Sequence, residues 1–94
     1  MIKVNNEDEL CCPSCGSNNI AHKNIDIFDR KEGRKHEFHV SVSEGVVKVD
    51  NDLSQNPSGN RGGIKIGFEC EGCGEKSLLK ITQHKGVTFI KFEK

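Results

Sequence analysis

Three cysteines stand close together near the start of the chain, in CCPSCG at 11–16, and two more stand far downstream in CEGCG at 70–74. Cys12 and Cys15 form one C-x-x-C-G motif, and Cys70 and Cys73 form another. Thiols at this spacing suit dithiol redox chemistry, disulfide pairing or metal binding. In a tight C-x-x-C turn both sulfurs can reach one ion. The next residue turns its backbone N–H towards sulfur, and glycine accepts the positive φ this requires. Two such turns supply four thiolates, the donor set of a tetrahedral Zn²⁺ with Zn–S near about 2.3 Å. The expectation is one zinc ion held by Cys12, Cys15, Cys70 and Cys73. With every position filled by protein, such a site is structural and activates no water.

The rival chemistries fit less well. CPSC alone would suit a thioredoxin-like dithiol, but that motif opens a helix within a βαβ pattern. GSNNIAHKN is a poor helix start, and the second C-x-x-C-G would be left without a role. A disulfide framework belongs to exported chains, and MIKVNNEDEL has no apolar run to act as a signal. Iron also suits two C-x-x-C-G turns. An electron-transfer site usually has aromatic packing about it, and five Phe with no Trp or Tyr give little of that. Cys11 makes only a looser C-x-x-x-C with Cys15. Its first reading is a small, part-buried apolar residue, and its second a substitute ligand or reactive thiol.

The elements that must position these thiols read as strands. NIDIFD at 24–29 alternates Ile25 and Ile27 with polar residues, and HEFHVSV at 36–42 sets Phe38, Val40 and Val42 against Glu37, His39 and Ser41. VVKV at 46–49 is a short β-branched run. GIKIGFEC puts Ile64, Ile66 and Phe68 on one face, with Cys70 in phase. SLLKITQH and VTFIKF flank Lys85-Gly86, a terminal hairpin signal. No helical repeat is sustained anywhere. The fold class expected is mostly β: a small antiparallel domain with a long central insertion, spanning 1–94 as one unit. Residues 1–10 read as a flexible N-terminus. DNDLSQNPSGNRGG at 50–63 is rich in Asn, Asp, Ser and Gly, and reads as a mobile loop. RKEGRK at 30–35 reads as a tighter turn.

At 94 residues and 33% hydrophobic content the chain can build only a thin core. A shared metal is the natural source of the missing stability, since zinc binding to zinc-finger peptides is worth about 10–16 kcal/mol in apparent terms. Lys and Arg together number 14, as do Asp and Glu, so there is no general attraction to nucleic acid or an acidic membrane. The chain has no stretch of the roughly 18–20 apolar residues that a membrane helix needs. It reads as cytoplasmic, with no membrane partner.

The two knuckles and their flanking strands resemble a zinc ribbon, in which two C-x-x-C-G turns beside β-hairpins clamp one zinc. The likeness rests on residues 12–16 and 70–74, and residues 30–62 lie outside it. A looser likeness joins NPSGNRGG, FECEGCG and ITQHKGVTFI to small zinc-ribbon proteins of bacteria, phages and mobile elements. The zinc-ribbon class implies binding, in transcription, replication, RNA machinery or protein contacts, and does not choose the ligand.

Charge is uneven. RKEGRKH carries four basic residues against one acidic, and from Lys76 onward five lysines face Glu93 alone. Arg30, Lys31, Arg34, Lys35, Arg61 and Lys85 are the candidates for nucleic-acid contact, with a solvated turn as the plainer reading of each. His22, His36, His39 and His84 read as surface or strand-face residues. Alternation assigns Phe38 and Phe68 to the core and leaves Phe28 or Phe92 free to stack on a base. No Ser/His/Asp set or paired carboxylates stand out. GNRGG lacks the Lys-Ser/Thr of a phosphate loop. The function expected is a non-enzymatic binding module working through a protein partner, with self-association also open. A nucleic-acid-binding ribbon using Arg30–Lys35 and the C-terminal lysines comes second. A thiol-redox or metal-dependent enzyme comes third.

Overall fold

A computed structural model describes residues 6–30, 37–58 and 61–94. They form six strands: β1 (Ile20–Arg30), β2 (Glu37–Ser43), β3 (Val46–Asp50), β4 (Gly63–Cys70), β5 (Lys76–His84) and β6 (Val87–Glu93). The strands make one antiparallel sheet in the order β3-β2-β1-β4-β5-β6. The fold is all-β and antiparallel, as the alternating pattern predicts. Among the described residues no helix is long and apolar enough to cross a membrane.

The turns follow local chemistry. Glu44-Gly45, at φ 51° and 77°, joins β2 to β3, and Lys85-Gly86, at φ 50° and 78°, joins β5 to β6. Two successive positive φ values give the two-residue hairpin whose twist matches the strands. Between β1 and β4 the register slips at His22/Asn24, an irregularity that keeps Ile25 and Ile27 in phase with Ile66 and Ile64.

That register sorts the side chains onto two unlike faces. On one, Val49, Val40, Ile27, Ile64, Ile81 and Ile90 form a row across all six strands. Val47, Val42, Ile25, Ile66, Leu79 and Phe92 form the next. This is the apolar face. The other, polar face carries Lys48, Ser41, Asp26, Lys65, Lys80 and Lys91 in one row, and Asp50, His39 and Phe28 in the neighbouring one.

The segment between β3 and β4 lies on the polar face, close to Gly63. A Cβ on Gly63 would come within 2.6 Å of Asn56 Oδ1 and 2.9 Å of Pro57. The Ser58 hydroxyl donates to the Gly62 carbonyl at 2.8 Å and accepts from the Gln83 amide at 3.1 Å. Asn56 donates to the Arg61 carbonyl at 2.9 Å.

The core differs from expectation in its aromatic residues. Phe28, expected to be free, is 2% exposed, and Phe38, expected in the core, is 45% exposed. Phe28 stacks on His39 with ring centroids 4.4 Å apart and planes 5° from parallel, and Lys65 Nζ lies 5.9 Å from its centroid. Phe92 is not free either, since it packs edge-on against Phe68 at 5.6 Å. The reason is which face is covered. Alternation gives the phase of a strand, but the β3–β4 segment covers the polar face here, and Ile27, Phe38, Val42, Val47, Val49 and Ile90 on the regular apolar face stay exposed.

Candidate metal centre

Each knuckle sits where a strand meets a tight turn. The first lies just before β1, and the second is the turn from β4 into β5. Because β1 and β4 are neighbours with Ile20 opposite Cys70, their ends bring the two knuckles together. The turns match bond for bond. Gly16 N–H donates to the Cys12 carbonyl at 2.9 Å and Gly74 N–H to the Cys70 carbonyl at 2.9 Å. Gly16 and Gly74 have φ 80° and 77°, so both glycines take the conformation the motif requires. Cys12 N–H donates to the Ser17 carbonyl at 2.7 Å, and Cys70 N–H to the Glu75 carbonyl at 3.0 Å. A bond from Glu71 N–H to the Asn19 carbonyl, at 2.9 Å, ties one knuckle to the other.

The four sulfurs of Cys12, Cys15, Cys70 and Cys73 lie within 4.8 Å of one another. Cys12 Sγ is 3.7 Å from Cys73 Sγ, and Cys15 Sγ is 3.6 Å from Cys70 Sγ. A tetrahedron with metal–sulfur bonds of about 2.3 Å has sulfur–sulfur edges of about 3.8 Å. The donor set therefore fits a four-coordinate thiophilic ion. Cys12 and Cys70 are buried, whereas Cys15 and Cys73 are exposed.

The electrostatics also suit a cation. The Cys15 and Ser14 amides point at Cys12 and hold its thiol down to about 6 against the cost of burial. The Cys73 amide, with that of Gly72, lowers Cys70 in the same way. At Cys73 the Glu75 amide favours the thiolate, but desolvation and the sulfurs of Cys15, Cys70 and Cys12 outweigh it and push the thiol up to about 12. Four sulfurs this close cannot all carry negative charge unless a cation lies among them.

Cys11 is outside the cluster. It is 4% exposed, and its thiol donates to the Glu9 carbonyl at 3.4 Å.

The basic candidates are scattered. Arg30 pairs with Glu37 across β1 and β2 at 3.3 Å. Arg61 precedes β4 and is half-buried, and Lys85 occupies the exposed tip of the β5–β6 hairpin. Lys31, Arg34 and Lys35, with His36, lie outside the described residues. Two groupings were not visible in the sequence. Lys65, Lys80 and Lys91 align across three strands and line one groove with Thr82, Phe89, Gln55 and Pro57. Glu93 partly balances them, at 2.6 Å from Lys80 and 3.3 Å from Lys91. His39 bridges two carboxylates, Asp26 at 2.8 Å and Asp50 at 3.0 Å. Its partners come from other strands, so only cross-strand register could have found them.

No protein-family model matches the chain, and neither a curated protein nor a solved structure matches it.

Proposed function

We propose that this chain is a zinc-stabilised, non-enzymatic binding module related in design to the zinc ribbons, and that its apolar sheet face docks protein. Cys12, Cys15, Cys70 and Cys73 hold one zinc ion. Four protein thiolates close the coordination shell, which suits a structural role. The ion locks the ends of β1 and β4 together and so fixes the middle of the sheet.

The observation that carries the binding role is the uncovered apolar face. Val47 and Val49 are each 64% exposed, and Ile90 is 57% exposed. An apolar surface of this continuity is a mark of an interaction site. No charged side chain interrupts its two central rows. That favours a protein partner over a phosphate backbone.

The lysine groove supports a second reading. Lys65, Lys80 and Lys91 beside the half-exposed Phe89 combine cations with a ring on which a base could stack. In this reading single-stranded nucleic acid lies on the polar face.

One experiment separates the two. A photoreactive amino acid is placed at Val47 on the apolar face, or at Thr82 in the lysine groove, in cells producing the protein. Cross-links to protein from position 47 support the leading reading. Cross-links to nucleic acid from position 82 support the second. Cross-links from neither position overturn both. Elemental analysis of the purified protein tests the metal: one zinc per chain is expected, and a coloured, iron-containing product overturns zinc.

A further inference from the structure

We infer that the occupant of the apolar face is a second copy of this chain, and that two sheets pack face to face about a two-fold axis as a β-sandwich. The inference rests on reading that face as a protein-docking surface and names the partner.

The first argument is the missing layer. Domains bury a core between at least two layers of secondary structure. Here the described residues form one sheet, the β3–β4 segment lies on its polar side, and Ile27, Phe38, Val42, Val47, Val49 and Ile90 on the apolar side are exposed. Apart from cysteines, Phe28 is the only buried hydrophobic side chain among the described residues. The molecule measures 42 × 31 × 19 Å. Its radius of gyration is 14.5 Å, against about 12 Å for a compact chain of this length. The face that should be the core is on the outside.

The second argument is area. Six strands about 4.8 Å apart make a face roughly 24 Å wide, and about 20 Å of strand length gives it a projected area of roughly 480 Å². Side chains standing off the sheet make its accessible surface larger than this projection and bring it towards the ~800 Å² each partner contributes to a standard stable interface. The face therefore supplies the greater part of a dimer interface by itself.

The third argument is chemistry. The central rows are Val, Ile, Leu and Phe throughout, so bringing two copies together opposes no like charges there. The chain has 14 cationic and 14 acidic residues, so two copies do not repel at long range. A sheet face rich in β-branched residues is what a second such face packs against in sandwiches, at about 10 Å between sheets. An open hollow of about 560 Å³ at the Phe38 end, lined by Ile27, Phe38, Val40, Ile64 and Ile81, leaves room for side chains from the facing sheet. A second copy is also the one partner present at equal amount whenever the chain folds.

The test is sedimentation equilibrium of the zinc-loaded full chain over a wide concentration range. The expected mass is twice 10.4 kDa. Val47→Lys and Ile90→Lys, both on the apolar face, should weaken the dimer at least 100-fold. Lys48→Glu and Lys91→Glu, on the polar face, should leave its mass unchanged. If the lysine variants do not fold, the photoreactive residue at Val47 in the wild-type background replaces them, and a cross-link to another copy's apolar face is expected. A folded wild-type chain that stays monomeric overturns the inference. So does a dimer that persists in both lysine variants, which places the contact on the open edges of β3 or β6. A monomer cross-linked through Val47 to a different protein overturns the second copy and leaves the docking reading standing. A monomer with no protein cross-link overturns both.

Discussion

At the scale of single residues, adjacent cysteines have opposite duties. Cys12 belongs to the sulfur cluster and Cys11 does not, although both are buried. Cys12→Ser should therefore abolish stoichiometric zinc binding and, with it, most of the about 10–16 kcal/mol that such a metal contributes to folding. Cys11→Ala should keep one zinc per chain and cost only about 1–2 kcal/mol. Metal content and chemical denaturation of the two variants check both outcomes. Acid should release the metal, because protons compete for thiolates. Competition begins at the raised thiol of Cys73, and Cys12, held down to about 6, adds its proton later, so zinc affinity should fall more steeply still as the pH drops through about 6. His39 titrates in the opposite sense. Its bond to Asp26, opposed by desolvation and aided by Asp50, raises its pKa above the ordinary 6.5. The stabilisation it gives is complete below the unfolded value and fades as the pH rises through the raised, folded one. His39→Gln should cost about 1–3 kcal/mol near pH 6.5 and much less at alkaline pH, as thermal unfolding of zinc-loaded protein at a series of pH values would show.

At the scale of elements, much of the fold was legible because strands announce themselves by a period of two. GIKIGFEC set Ile64, Ile66 and Phe68 on one face with Cys70 in phase, and β4 has that arrangement. Lys85-Gly86 gave the last hairpin from its residue types alone. The knuckle pair was legible for the same reason, since C-x-x-C-G encodes a local turn with a glycine at positive φ. What the sequence did not reveal depends on contacts between elements. Phe28 and Ile27 are neighbours in one strand, and nothing local says that the face carrying Phe28 is the covered one. The His39 carboxylates and the lysine row arise only when β1, β2, β3, β4, β5 and β6 take their order in the sheet. The buried ring sets the expected cost of its loss. Phe28→Ala removes the largest fully buried side chain and should destabilise by about 3–5 kcal/mol. Phe89→Ala, at a ring 51% exposed on the same face, should change stability by less than about 1 kcal/mol. Urea denaturation of both variants provides the comparison.

At the scale of the whole molecule, a thin sheet relies on what is bound to it. Chelation should unfold it, seen as loss of the β signal in circular dichroism and its return with added zinc. If two copies share the apolar face, the melting temperature of the zinc-loaded protein should also rise with protein concentration, because association draws on the folded form alone. The position of the knuckles carries a further consequence, for the speed of folding. The central pair β1–β4 joins Ile20 to Cys70, partners separated by about half of the chain. Closing so long a loop is entropically unfavourable and slows folding before any contact rewards it. An ion that first gathers the two knuckles closes that loop at one stroke. The pairing of β1 with β4 can then run like a zip from the metal end towards Phe28 and Gly63. Refolding should accordingly quicken when zinc is present from the start, and the β2–β3 and β5–β6 hairpins, closed by their own turns, should form independently of the ion.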